Sequence, residues 1–143
     1  MSLRTGQCMC GQVTYRADVG ERVSVCYCKM CQRWASGVFM GVETHSFDVS
    51  DGAEHLGITK SSDWAERGFC RKCGANLYYH ATEAGYLSVA FGSLDDTAGL
   101  SPRIQFYIDK RPAGFELAAE TKEMTEAECI AFFAPDQMEG DQQ

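Results

Sequence analysis

The tightest constraint on this chain is the spacing of its thiols: Cys8-Met9-Cys10 and Cys26-Tyr27-Cys28 each leave one residue between two cysteines. A disulfide closed over a single residue is badly strained, so neither pair is expected to be a covalent staple. Cys31 extends the second pair into the run Cys26-Tyr27-Cys28-Lys29-Met30-Cys31, Cys70 and Cys73 form a further pair, and Cys129 stands alone. The opening Met1-Ser2-Leu3-Arg4-Thr5-Gly6 lacks the apolar run of about 7–15 residues that a secretory signal needs. The expected location is therefore cytoplasmic, a reducing compartment where clustered thiols are metal ligands or catalysts more often than disulfide partners.

Zinc takes four tetrahedral ligands at structural sites, and three protein ligands plus an exchangeable position at catalytic ones. Seven clustered cysteines divide naturally as four plus three, which predicts two zinc ions per chain. Gly11 follows Cys10 and Gly74 follows Cys73, and glycine permits the tight turn that aims backbone N–H groups at sulfur. Cys8, Cys10, Cys70 and Cys73 are thus expected to hold a structural zinc that ties the N-terminal segment to the middle of the chain. Cys26, Cys28 and Cys31 can wrap one ion and leave its fourth side open, which makes them the candidate catalytic site. Two arrangements compete with this one: closure of that site by His45, His55 or His80, and a partition that pairs Cys8 and Cys10 with Cys26 and Cys28. The three histidines stand in polar, loop-like sequence and read first as surface residues. Lys29 and Arg33 flank the three-cysteine run and are candidates to meet a ligand carboxylate. Cys129 reads as a small buried hydrophobe.

At 143 residues and 45% hydrophobic content, the chain can bury one core without disulfide support. A single zinc-binding domain over residues 4–134 is expected, with a polar tail over 135–143. Val13, Tyr15 and Ala17 alternate with polar neighbours, the period of a half-buried strand, and further strands are expected at Val38–Val42, Asn76–Tyr79, Tyr86–Phe91 and Arg103–Ile108. Turn residues such as Gly92-Ser93-Leu94-Asp95-Asp96 separate them, so the fold class is mainly β. One clear helix is expected near the end, with Thr125 as N-cap, Glu128 as its capping-box partner and Pro135 as its stop. The tail Asp136–Gln143 is expected to fray.

Charge and hydropathy narrow the partners. The longest uncharged stretch at the apolar centre, Trp34 to Val42, falls well short of the roughly 18 residues that span a bilayer, so no membrane is expected. Formal charge is −7, and seven thiolates with two Zn²⁺ ions would bring it to about −10. With no basic and aromatic stripe to offset it, such a chain repels phosphate backbones, so no nucleic acid is expected either.

Taken together, Gly6-x-Cys8-x-Cys10-Gly11, Cys26-x-Cys28-x-x-Cys31-Gln32-Arg33 and Phe69-Cys70-x-x-Cys73-Gly74-x-x-Leu77 resemble the glutathione-dependent formaldehyde-activating enzyme family, which also includes centromere protein V. The resemblance runs from about Gly6 to Phe115. It implies a β-tent of small antiparallel sheets around the zinc sites, a structural zinc on Cys8, Cys10, Cys70 and Cys73, and a catalytic zinc on Cys26, Cys28 and Cys31. The implied activity is addition of glutathione to formaldehyde, a carbon–sulfur lyase or synthase reaction that makes S-hydroxymethylglutathione. Tyr27 and Gln105 stand where many relatives carry histidine, and Lys110–Phe115 lacks the tryptophan often found there. The alternative reading is a non-catalytic zinc module that binds a protein partner.

Overall fold

Val13, Tyr15, Ala17 and Val19 are all fully buried, so the alternation read from the sequence marks the inner face of a long strand and the residue that leads into it. In the computed structural model, which describes residues 2–133, this strand is β2 (Thr14–Cys26), and it organises the molecule. One of its edges pairs antiparallel with β3 (Phe39–Asp51) along most of its length. Its other edge is shared. The first half pairs antiparallel with β1 (Ser2–Gln7), and the second half pairs parallel with β8 (Ser101–Phe106). Register shifts around Val19–Val23 separate the two halves. Such irregularities bend a strand, and here they fall where the partner on one edge changes.

Beyond β3 the sheet continues through β7 (Tyr86–Ala90), β6 (Asn76–Ala81), β5 (Ala65–Cys70) and β4 (Leu56–Ser62), all antiparallel. On the far side, β9 (Lys122–Met124) pairs parallel with β8. The mainly β expectation is what the structure shows. The small antiparallel sheets implied by the resemblance are joined in one nine-stranded sheet that includes two parallel pairs. The expected strands overlap β2, β3, β6, β7 and β8, with Val13, Val38, Phe91, Tyr107 and Ile108 lying just outside them. The strands β1, β4, β5 and β9 were not expected, because their charged and polar content leaves little period-2 contrast to read.

Helix α2 (Glu126–Phe133) begins as the capping box requires: the Glu128 backbone N–H donates to Thr125 Oγ1 at 3.2 Å and the Thr125 N–H donates to Glu128 Oε1 at 2.8 Å. Pro135 and the tail from Asp136 lie outside the described residues. A second helix, α1 (Lys29–Ala35), corrects the expectation of a single clear helix. It is short, buries one residue, Cys31, and takes its cap from sulfur, the Cys31 N–H donating to Cys28 Sγ at 3.3 Å. A cysteine cap is not among the residues that signal a helix start. Among the described residues, no helix is long and apolar enough to cross a membrane.

Candidate metal centres and the cavity beside them

The first thiol group forms where two turns meet. The turn after β1 carries Cys8 and Cys10, and Gly11 adopts φ 79° as its N–H donates to the Cys8 carbonyl at 3.2 Å. The turn after β5 repeats the device: Gly74 has φ 81° and donates to the Cys70 carbonyl at 2.8 Å. Both turns present backbone N–H groups to sulfur, from Val13 to Cys8 Sγ at 3.3 Å, and from Lys72 and Cys73 to Cys70 Sγ at 3.3 and 3.4 Å. The four sulfurs lie within 4.8 Å of one another. Cys8 to Cys10 is 3.7 Å and Cys10 to Cys70 is 3.9 Å. Zinc–sulfur bonds of about 2.3 Å in a tetrahedron place sulfurs about 3.8 Å apart, so this donor set fits a four-coordinate zinc in both chemistry and spacing.

The second group comes from the end of β2 and the start of α1. Cys26, Cys28 and Cys31 bring their sulfurs within 4.8 Å of one another. The seven cysteines therefore divide as four and three, and Cys8 and Cys10 do not pair with Cys26 and Cys28. His45, His55 and His80 belong to neither group among the described residues. His45 is exposed, and His55 lies 3.7 Å from the Glu54 carboxylate.

The electrostatics of the three thiols show what they lack. Hydrogen bonds from Cys26 and Cys31 outweigh burial and hold Cys28 down to about 3, with the Arg67 charge assisting. Cys26 is pushed well above the ordinary thiol range by Cys28, Cys31 and burial. Cys31 is stabilised as an anion chiefly by Cys26, yet Cys28, burial and the neighbouring negative charge overcome this and raise it to about 12. Three sulfurs so close together accommodate one negative charge and resist a second. A dication is what allows all three to ionise, so the site fits zinc with three thiolates.

These thiols line a cavity of about 210 Å³ whose walls are largely apolar, with Phe39, Trp64, Tyr86, Phe106 and Phe133 among them. Cys129 is buried as expected and also faces this cavity. Lys29 and Arg33 are exposed on α1, and neither lines it. The cation that does is Arg67 of β5, which is buried, donates from Nη1 to Cys31 Sγ at 3.6 Å, and lies with its guanidinium carbon 4.8 Å from the Trp34 ring and 4.9 Å from the Tyr79 ring. Sequence reasoning passed over Arg67. The sequence carries little signal for it, because β5 has too little period-2 contrast to be read as a strand with an inner face.

Tyr27 and Gln105, which stand where the resemblance implies histidine, form a pair. The buried Tyr27 hydroxyl donates to Gln105 Oε1, and Gln105 Nε2 donates to Thr121 Oγ1 at 2.8 Å. Neither lines the cavity, so the exchange lies behind the thiols, in the support of the segment that carries them.

The model of the glutathione-dependent formaldehyde-activating enzyme family matches residues 3–110. The chain is 32% identical over 129 residues to an uncharacterized lyase of Schizosaccharomyces pombe, covering 87% of this chain and 93% of that protein. Among solved structures, a Rhodobacter sphaeroides protein of 23% identity superimposes with a TM-score of 0.55, covering 68% of this chain and 91% of its own, and so shares the fold. By the family model that spans most of its length and by its 32% identity to the yeast lyase, the chain belongs to the glutathione-dependent formaldehyde-activating enzyme family.

Proposed function

We propose that this chain is a zinc-dependent carbon–sulfur lyase or synthase that joins a glutathione-like thiol to a small aldehyde, with Cys26, Cys28 and Cys31 at the reacting centre and Cys8, Cys10, Cys70 and Cys73 as a structural zinc site. Family membership and the lyase relative support the reaction class. The observation that carries the reading is the contrast between the two thiol groups. Four sulfurs gather within 4.8 Å of one another at one, whereas at the other three sulfurs do so on a cavity wall, with no fourth cysteine or histidine in the group among the described residues.

Held by three thiolates, zinc would lower the pKa of an incoming thiol and keep its sulfur nucleophilic. The protein contributes confinement and position. The apolar wall strengthens electrostatic interactions inside the cavity by excluding water, and α1 fixes Cys28 and Cys31 one turn apart. The test is exchange spectroscopy on the zinc-loaded chain with glutathione and formaldehyde. Interconversion of free and S-hydroxymethyl glutathione should run at least about a hundredfold faster than without protein, an effect within reach of positioned groups. A chain that holds two zinc ions, gives no spectral response to glutathione after cobalt substitution and leaves the exchange rate unchanged would be a binding module instead.

A further inference from the structure

Arg67 is 3% exposed, and among the described residues its guanidinium meets no carboxylate. A guanidinium carries five N–H donors, and the hydrogen bond it makes goes to Cys31 Sγ. Burying such a cation is costly without an anionic partner, and the thiol group beside it answers that cost through one of the five donors. The rings of Trp34 and Tyr79 hold it in place and stabilise its charge, while the cavity lies against it. It is a fixed cation beside the thiols, on the wall that a ligand would touch.

We propose that Arg67 is a catalytic residue that binds the oxygen nearest the substrate sulfur, holding the aldehyde oxygen as the carbon–sulfur bond forms and stabilising the alkoxide that results. The assignment rests on the reaction proposed above. Its geometry is set by Arg67 Nη1, 3.6 Å from Cys31 Sγ: a substrate sulfur seated among the three thiols is a neighbour of the guanidinium. An oxygen on the carbon next to that sulfur is then within hydrogen-bond reach, whereas the carboxylates of glutathione are several bonds farther from its sulfur.

The step balances without an oxidant or reductant. A lone pair of the substrate sulfur forms the bond to the aldehyde carbon, the carbon–oxygen π pair moves onto oxygen, and the alkoxide accepts hydrogen bonds from Arg67. Solvent returns to that oxygen the proton the thiol gave up, so thiol plus aldehyde yields the hemithioacetal. Arg67 gives up no proton in the step and acts as a preorganised hydrogen-bond donor.

The test compares two thiols on the cobalt-loaded protein: ethanethiol, and mercaptoacetate, which adds an anionic oxygen close to sulfur. Wild type should bind mercaptoacetate at least about tenfold more tightly, the worth of a charge-assisted contact. Arg67→Met should lose that preference while keeping its metal and its ethanethiol affinity, and Arg67→Lys should keep part of it. In aldehyde addition, Arg67→Met should lower kcat by about a hundredfold with KM for glutathione unchanged. Equal binding of the two thiols by wild type, a preference that survives in Arg67→Met, or loss of metal from Arg67→Met would each overturn the assignment, the last by showing that Arg67 serves the thiol cluster alone. A wild type that prefers mercaptoacetate but adds no aldehyde would defeat the proposed function and the alkoxide role, leaving an anion site. An active wild type without the preference would defeat only the role of Arg67.

Discussion

Cys28 serves two purposes whose chemistries can be separated by one substitution. Its sulfur belongs to the three-thiol group and also accepts the Cys31 N–H at the start of α1. Serine is among the preferred helix caps, so Cys28→Ser keeps an acceptor at the cap while removing a soft ligand. The expected outcome is loss of one of two zinc ions and of the glutathione response in the cobalt-substituted protein. Stability should fall by no more than about 1 kcal/mol, the scale of a cap exchange, because a metal held by three neighbouring residues closes only a short loop. Thermal melting and metal analysis on the same sample decide it: a collapsed fold would show that this group, too, holds the molecule together.

At the scale of elements, the end of β2 and its parallel neighbour β8 are tied by side chains as well as by the sheet. Tyr27 follows β2 directly, Gln105 lies on β8, and the chain continues to Thr121 just before β9. Tyr27→Phe leaves the buried Gln105 oxygen without its donor, a loss of about 1–3 kcal/mol. Urea unfolding should show it as a lower midpoint at an unchanged slope, while zinc content and thiol binding hold, since neither residue touches the cavity. A change in thiol affinity without a change in stability would place this pair in the site instead. The two helices differ in how readable they are for a related reason. Thr125 and Glu128 cap α2 through backbone and side-chain groups three residues apart, a pattern written in the sequence, whereas α1 is capped by a thiol whose ligand spacing conceals the helix.

For the molecule as a whole, the four-cysteine group joins segments 60 residues apart, from Cys10 to Cys70. Metal binding at structural zinc sites is worth about 10–16 kcal/mol at neutral pH, comparable with the entire stability of a domain, about 5–15 kcal/mol. Cys70→Ser, or a chelator strong enough to strip both ions, should therefore abolish cooperative melting rather than lower its midpoint by a few degrees. A Cys70→Ser chain that retained full zinc and melted at the wild-type temperature would remove this group from the structural role. The contrast with Cys28→Ser is the sharper test, since both variants lose a thiolate while the span of the closed loop differs greatly.

What the sequence alone determined is local: thiols too closely spaced for disulfides, glycines that turn the chain behind each ligand pair, the alternation of β2 and the capping box of α2. Each rests on interactions within a few residues, so neighbours suffice to read it. The tertiary structure decided which distant groups meet. It closed four sulfurs from two turns into one site, set Arg67 of β5 between Trp34 and Tyr79 beside Cys31, joined Tyr27 to Gln105, and left Lys29 and Arg33 exposed. Those contacts depend on strand order and register across the sheet, including two parallel pairings. Register is fixed by the packing of the whole molecule, and no short window of the chain contains it.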